Sequence, residues 1–349
     1  MHTRTFLLLA AVVLVPGLAG AAALPASGAA AQDAAACMSA VDNEDWAGVM
    51  SACPDVLAGL PEEHPYYLSW TQSLNYAYQQ ACQTAAQGGQ WDTVIATCEP
   101  AVAANPDAFI VNYFLGLAYQ AKEDWSNAGI SFGAFLAAAR GSQSASQMGE
   151  QISMAQRSGG LAYARVRAFQ DAIPLLQAAA QGNAEDVEVN YRLGVALLST
   201  GDAAGAERAL ANVVEHAPSP IPAVLFLAGQ LAYNAGDYAN ADSRLSTYLQ
   251  AAPNERGAPD AHYMLGQALQ GTDADRAATH YQGFLSGAEA GDARVPDAAF
   301  ALGTLYFNNN DCANAETYYN QFLELAPDHA NAAQVTEILA EIAELGCEG

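Results

Sequence analysis

The apolar positions of this chain follow a helical period that is interrupted at regular intervals. In the stretch 187–220, two apolar runs at 193–198 and 206–214 flank a short polar turn at 199–202. Apolar residues three and four positions apart share one face of a helix, so this stretch predicts two amphipathic helices joined by a tight turn. Comparable stretches of about 34 residues precede and follow it, which predicts a solenoid of helical hairpins.

This period divides the chain into segments. Two N-terminal stretches, 37–61 and 82–106, repeat Cys, Trp, Val, Cys and Pro at an offset of 45 residues, and later hairpins begin near 109, 153, 187, 222, 259 and 296. An amphipathic stretch at 331–345 predicts a helix that covers the last hairpin. The predicted organisation is a signal peptide at 1–31, N-terminal repeats at 32–142, a linker or helix extension at 143–152, C-terminal repeats at 153–329 and a capping helix at 330–349.

Small and large residues recur at fixed offsets within the hairpins. Four glycines precede an alanine by twelve residues, and a large apolar residue follows each alanine by four. The sets are Gly116, Ala128 and Phe132; Gly194, Ala206 and Leu210; Gly229, Ala241 and Leu245; and Gly303, Ala315 and Tyr319. Because helices approach closely only where the side chains between them are small, the spacing predicts that each glycine faces the alanine across its hairpin.

Glycine, alanine, a large apolar residue and a closing proline at these offsets resemble the tetratricopeptide repeat over about residues 30–330. The resemblance implies an all-α, right-handed superhelical solenoid of about eight helix-turn-helix repeats with a C-terminal capping helix. It also implies a non-catalytic scaffold that binds other proteins. The first two units depart from the pattern, because cysteine takes both the glycine position and the large apolar position.

Charge excludes one class of partner. The formal net charge is −25, and charged residues make up only 14 % of the chain. The acidic residues are dispersed along the repeats, so they indicate a self-repelling, soluble surface, and attraction of basic partners is the other interpretation. Lys122 is the only lysine in the sequence. Since phosphate binding needs clustered basic residues, we expect no contact with nucleic acid.

The N-terminal residues predict an export signal. Arg4 precedes an unbroken apolar run at 6–15, and small residues follow as far as Ala31. The run is too short to span a bilayer, so we expect a signal peptide that is removed, leaving a protein that is not embedded in the membrane. Small residues allow cleavage near Ala23 or Ala31, and the second position is favoured. The expected location is the periplasm, and an extracellular or membrane-anchored protein is the alternative.

Six cysteines in an exported chain indicate an oxidising compartment and paired sulfurs. The repeat register places the two cysteines of each N-terminal hairpin opposite each other. It also brings the start of the last hairpin's second helix next to the end of the capping helix. The predicted disulfides are Cys37–Cys53, Cys82–Cys98 and Cys312–Cys347, and buried reduced thiols are the alternative.

No motif in the sequence predicts a reaction. It contains neither a phosphate-binding glycine loop, nor a Gly-x-Ser-x-Gly elbow, nor a His-Glu-x-x-His pair. The oxygen-rich turn 308–311 lacks the glycine and distal glutamate of a calcium loop, and helix capping explains it better. His262 occupies a packing position of the seventh repeat. We therefore expect no catalytic residue, no cofactor and no metal site.

In the tetratricopeptide repeat, the first helix of each hairpin lines a concave groove. The residues of the first helices that face this groove are therefore the candidate binding residues. These are Tyr113, Arg157, Tyr191, Phe226, Tyr233, Tyr263, Phe300 and Phe307, interleaved with amides such as Gln267 and Gln270. The same positions are often aromatic in the family whatever the ligand, so ordinary packing is the other interpretation.

Aromatic and amide side chains suit a peptide held by apolar anchors and backbone hydrogen bonds. The expected function is binding of a protein or peptide partner in the bacterial cell envelope. Because the same side chains also suit stacking on sugar rings, the alternative is a scaffold that contacts polysaccharide in export or surface assembly.

Overall fold

The computed structural model describes residues 29–104, 109–142 and 145–345. All regular secondary structure in these ranges is helical, with seventeen α-helices and one short 3-10 helix. The prediction of an all-α repeat fold is therefore confirmed. The predicted signal peptide lies outside the described residues, apart from 29–31, which begin the first helix.

The chain forms two compact units, Met1–Lys122 and Glu123–Gly349. The first unit contains α1 (Ala29–Asp42), α2 (Trp46–Gly59), α3 (Tyr67–Gln87), α4 (Trp91–Ala104) and α5 (Phe109–Ala121). Helices α1 and α2 form one hairpin and α3 and α4 the next, while α2 packs on α3 and α4 packs on α5. The division between the units falls inside the predicted third hairpin, at 109–142.

The second unit contains α6 (Trp125–Ala139), α7 (Gly149–Arg165), α8 (Phe169–Gly182), α9 (Val187–Ser199), α10 (Ala203–His216), α11 (Pro222–Asn234), α12 (Tyr238–Ala251), α13 (Ala258–Leu269), α14 (Ala274–Gly287), α15 (Val295–Asn308), α16 (Cys312–Leu325) and α17 (Ala332–Leu345), with the 3-10 helix at Ala145–Gln147. Helix α6 packs on α7, and five hairpins run from α7–α8 to α15–α16. The second helix of each hairpin packs on the helix that follows it, so this unit is a helical repeat solenoid.

An aspartate caps most of the second helices. Asp202, Asp237, Asp273 and Asp311 each accept a hydrogen bond from the backbone N–H three residues later. This N-cap satisfies one of the amides that a helix start leaves without an intrahelical partner. Helix capping thus explains the turn 308–311, as the sequence predicts.

The hairpin glycines make room for the large apolar residue of the second helix. A Cβ added to Gly194 would lie 3.5 Å from the backbone oxygen of Ala206, as predicted, but only 2.7 Å from Leu210 Cγ. Gly229 stands in the same relation to Leu245, at 2.6 Å. Side chains of a helix lean towards its N-terminus, so the residue one turn after the alanine reaches back over the glycine.

The last helix closes the second unit. Val335 and Ile342 of α17 are buried in one cluster with Tyr319 and Phe322 of α16. The glutamates on the other face of α17, Glu337, Glu341 and Glu344, are exposed. Helix α17 therefore covers the apolar side of the final hairpin, which is the predicted role of a capping helix.

Disulfides lie inside the first two hairpins. Cys37 is joined to Cys53 with an S–S distance of 2.10 Å, and Cys82 is joined to Cys98 at 2.06 Å. Each disulfide ties the first helix of its hairpin to the second. Cys312 is half-buried at the start of α16, and its predicted partner Cys347 lies outside the described residues, so that disulfide stays a prediction.

Candidate ligand groove

Two neighbouring first helices of the second unit, α11 and α13, pack side by side. A chain of hydrogen bonds joins them: the Tyr233 hydroxyl donates to Gln267 Oε1, and Gln267 Nε2 donates to the Tyr263 hydroxyl over 3.1 Å. The two ends of the Gln267 amide serve different partners, so its orientation is fixed. Three residues that the sequence predicts for the groove therefore lie together.

An open cavity of about 330 Å³ lies between α13 and α15. Two aromatic rings, Tyr263 and Phe300, come from equivalent positions of successive repeats. Polar side chains complete the lining, with amides from Gln267, Gln270 and Asn308 and the carboxylate of Asp297. Asp297 is the one charged residue of this lining. We call this space the α13–α15 cavity.

The rings of Tyr263 and Phe300 pack on buried phenylalanines of the second helices. The ring of Tyr263 lies 4.9 Å from that of Phe284, and the ring of Phe300 lies 5.4 Å from that of Phe322. Burial raises the pKa of Tyr263, and the nearby carboxylate of Asp297 adds to this effect. Tyr263 therefore keeps its hydroxyl proton. Because packing holds both rings in place, Tyr263 and Phe300 present a preformed aromatic surface to the cavity.

One arginine of the chain lies on the same aromatic surface. The Arg294 guanidinium carbon is 5.2 Å from the Tyr263 ring centre and 5.1 Å from that of Phe284. Its Nη2 also forms ion pairs with Asp260 at 2.7 Å and Asp292 at 2.6 Å. Hydrogen bonding from the guanidinium lowers the pKa of Asp292 to about 2.

Arg157 is tied to carboxylates of the next repeat. Its Nε donates to Asp186 Oδ2 over 2.7 Å, and its Nη2 lies 3.3 Å from Glu188 Oε2. The hydrogen bond to Asp186 is the main reason why the pKa of Arg157 is raised. Partial burial of Asp186 opposes its ionisation, but the hydrogen bond from Arg157 contributes to a net lowering of its pKa. The positive charge of Arg157, one of the predicted groove residues, is thus paired with carboxylates of the chain.

The remaining predicted groove residues differ in exposure. Tyr191 is 39 % exposed on α9 and open to a ligand. Phe226 packs on Tyr248, with ring centres 5.2 Å apart, and Phe307 packs against the terminal cluster. Tyr113, in the first unit, is only 5 % exposed, so the structure places it in the core and not on an open groove.

A pair of histidines was not apparent from the sequence. His262 Nδ1 of α13 lies 3.1 Å from His280 Nδ1 of α14, so one nitrogen donates and the other accepts. Burial lowers the pKa of both, that of His280 to about 4. His262 also borders a wider surface cavity of about 620 Å³. The two histidines are 18 residues apart and lie on different helices, so only the packing of α13 on α14 brings them together.

The described part of the chain contains no group of three or more His, Cys, Asp or Glu side chains arranged to hold a metal ion. In the same residues, no helix combines the length and apolarity that crossing a bilayer requires.

The fold defines a protein built from stacked helical hairpins. Two stretches of its sequence, residues 165–231 and 296–329, match profiles described as tetratricopeptide repeat. These matches fall on hairpins of the second unit and agree with the glycine and alanine register. Residues 165–231 and 296–329 are therefore tetratricopeptide repeats. No curated protein matches it in sequence.

Solved structures resemble the chain over about half its length. MamA, in its AMB-1 form, is 20 % identical over 52 % of this chain and 95 % of its own, with a TM-score of 0.40. YrrB, described as a TPR protein with an unusual peptide-binding site, is 13 % identical over 56 % of this chain and 98 % of its own, with a TM-score of 0.41. Similarity at this level carries no argument about the ligand of this chain.

Proposed function

We propose that this protein binds a protein or peptide partner along the first helices of its second unit. The observation that carries the proposal is the α13–α15 cavity, where rings from successive repeats face a cluster of side-chain amides. The tetratricopeptide repeat is mostly a scaffold for binding other proteins, and this supports the same conclusion. The proposed role is therefore that of a non-catalytic scaffold.

The spacing of the repeats suits an extended peptide. Packed helices lie about 8–10 Å apart. A peptide in the polyproline II conformation has three residues per turn and rises about 3.1 Å per residue, so side chains three residues apart share one face and would fall on successive repeats. Rings such as Tyr263 and Phe300 would anchor those side chains, because aromatic surfaces contribute much of the binding energy at low entropic cost. Amides such as Gln270 and Asn308 can donate to and accept from the peptide backbone.

Groove and outer-face variants separate this proposal from binding elsewhere. Peptides selected by display on the full-length protein should bind Tyr191→Ala or Ala301→Gln about tenfold more weakly, since one removes an exposed ring and the other fills the cavity. Matched controls are Ile130→Ala on α6 and Leu325→Ala on α16, whose side chains are 55 % and 50 % exposed. Loss of binding in the controls together with full binding in the groove variants would contradict the proposal.

We further propose that the partner is met in the bacterial cell envelope, after export to the periplasm. The apolar run at 6–15 and the two disulfides support this location. Mass spectrometry of the protein from native cell fractions should find a mature N-terminus near Ala31.

Tyrosine and tryptophan fluorescence titrated with envelope oligosaccharides should stay flat. A saturable change would favour the alternative, a scaffold that contacts polysaccharide.

A further inference from the structure

Within the chain, Asp260 and Tyr263 of α13 both contact a guanidinium group, that of Arg294. Asp260, in the first turn of α13, forms an ion pair with Arg294 at 2.7 Å, and the guanidinium of Arg294 lies on the ring of Tyr263. Asp260 and the ring of Tyr263, three residues later, thus share one guanidinium with Asp292, which pairs with it at 2.6 Å. Attraction to the carboxylate and the cation–π contact act on the same group.

The next repeat has the carboxylate and the ring but not the arginine. Asp297 and Phe300 lie 37 residues after Asp260 and Tyr263, whereas the residue 37 after Arg294 is Asn331. Asp297 meets His329 Nε2 at 3.7 Å, a separation too long for a good hydrogen bond. No arginine or lysine nitrogen lies within 4.0 Å of Asp297 among the described residues, and 56 % of its side chain is exposed.

The cavity next to Asp297 has the composition that a guanidinium requires. The rings of Tyr263 and Phe300 and the carboxylate of Asp297 line one space of about 330 Å³. Gln270 and Asn308 also line this space. Gln270 Oε1 accepts from the Tyr281 hydroxyl over 3.0 Å, which leaves one lone pair for an N–H donor. The lining contains no arginine, lysine or histidine, and the charge of Arg294 beside Tyr263 is paired with Asp260 and Asp292. A formal net charge of −25 favours a basic partner over an acidic one.

We infer that the α13–α15 cavity binds an arginine side chain of the partner, with the guanidinium paired to Asp297 and stacked on the ring of Phe300. The inference rests on the proposed function and adds the chemistry of the anchor residue. Arginine fits better than lysine because its planar group can stack on a ring and donate several hydrogen bonds in one plane. The partner is therefore a peptide segment that carries an arginine at this position.

Citrulline provides a matched probe, because it has the shape of arginine without the charge. Four pools of blocked, fluorescein-labelled hexapeptides would carry arginine, citrulline, lysine or leucine at one fixed position and mixtures elsewhere. Fluorescence anisotropy with the full-length protein should show the arginine pool binding about fivefold to tenfold more tightly than the citrulline pool. This comparison uses the wild-type protein, so it does not depend on the folding of a variant.

A substitution then assigns the preference to Asp297. In Asp297→Asn, the difference between the arginine and citrulline pools should shrink below about twofold, while binding of the leucine pool stays unchanged. Asp55→Asn, at an exposed position of α2 in the first unit, changes the net charge equally and should keep the full preference. Circular dichroism checks that both variants retain the helical fold.

The outcomes separate this inference from the proposed function. Equal binding of the arginine and citrulline pools, or equal binding of arginine and lysine, would overturn the guanidinium assignment and leave peptide binding intact. A preference that survives in Asp297→Asn would also overturn it. If no pool binds the wild-type protein at all, the proposed function itself fails.

Discussion

The ring of Tyr319 lies directly over Gly303, where a Cβ would come within 2.5 Å of its Cδ1 atom. Tyr319 is 1 % exposed and belongs to the core of the last hairpin. The absence of a side chain at Gly303 therefore sets how closely α15 and α16 approach. The same relation joins Gly194 to Leu210 and Gly229 to Leu245, so it is the structural rule of the hairpin.

Gly303→Ala should lower the stability of the second unit by about 2 kcal/mol, because overpacking outweighs the gain of about 1 kcal/mol in helix propensity. Gly182→Ala at the end of α8 is the matched control, since a Cβ there would meet nothing within 4 Å. Urea unfolding followed by far-UV circular dichroism measures both. Equal stability of the two variants would show that the glycine does not set the helix spacing.

A buried ion pair should be sensitive to the loss of its acid. Arg244 of α12 is 8 % exposed, and its Nη1 donates to Glu207 Oε1 over 2.6 Å and to the Ala228 carbonyl over 3.1 Å. Glu207→Gln leaves a buried guanidinium without a counter-charge, so it should cost about 3 kcal/mol in unfolding free energy. Arg244→Met keeps the apolar stem and frees Glu207 to be solvated, so its cost should be smaller. The reverse order of the two losses would contradict this account.

The two disulfides should stabilise the first unit. Each closes a loop with a sequence separation of 16, and removing one as the pair Cys37→Ala and Cys53→Ala should cost about 3 kcal/mol by loss of chain restraint in the unfolded state. Three of the four tryptophans, Trp46, Trp70 and Trp91, lie in this unit, so urea unfolding monitored by tryptophan fluorescence in a Trp125→Phe background reports on it. Cys312→Ser, in the second unit, should leave that transition unchanged.

Peptide mapping under non-reducing conditions tests the pairing itself. It should recover the Cys37–Cys53 and Cys82–Cys98 peptides, and it decides whether Cys312 is joined to Cys347. Peptides that link Cys37 to Cys82 would contradict the structure.

The histidine pair predicts a loss of stability in mild acid. Both pKa values are lowered by burial, so the unfolded chain takes up protons below about pH 6.5 while the folded chain does not. The stabilising effect is therefore present above pH 6.5 and decreases as the pH falls towards about 4, the pKa of His280. Besides burial, His262 and Arg276 lower the pKa of His280, and Asp242 raises it.

Between pH 6.5 and 5 the second unit should lose about 1 kcal/mol of unfolding free energy, a value reduced for solvent screening at this half-buried site. His280→Gln cannot protonate, so its stability should vary less over this interval. Urea midpoints measured at several pH values provide the comparison. Identical pH slopes for the wild type and His280→Gln would exclude the pair as the cause.

The sequence predicted the features that depend on local spacing. The hairpins, the aspartate-capped turns and the capping helix α17 follow from residues that are near one another along the chain. Contacts between helices were harder to predict from the sequence. The spacing placed Gly194 opposite Ala206, but only the lean of the helical side chains shows that Leu210 is the closer neighbour.

The candidate groove was predictable in outline and not in detail. Tyr263 and Phe300 line a cavity, as their positions in the repeat indicate, while Tyr113 is buried. The pairing of Arg294 with Asp260 and the contact of His262 with His280 do not follow from the pattern of apolar and small residues that defines the repeats. Both depend on how neighbouring helices are rotated, which local patterns do not specify.

Hydrogen–deuterium exchange of the full-length protein, with and without a display-selected peptide, tests the central claim most directly. Binding in the groove predicts slower amide exchange in the first helices α11, α13 and α15, with the largest change around Tyr263 and Phe300. The second helices α12 and α14 should exchange as they do in the free protein. Protection confined to those second helices, or to the first unit, would contradict the account.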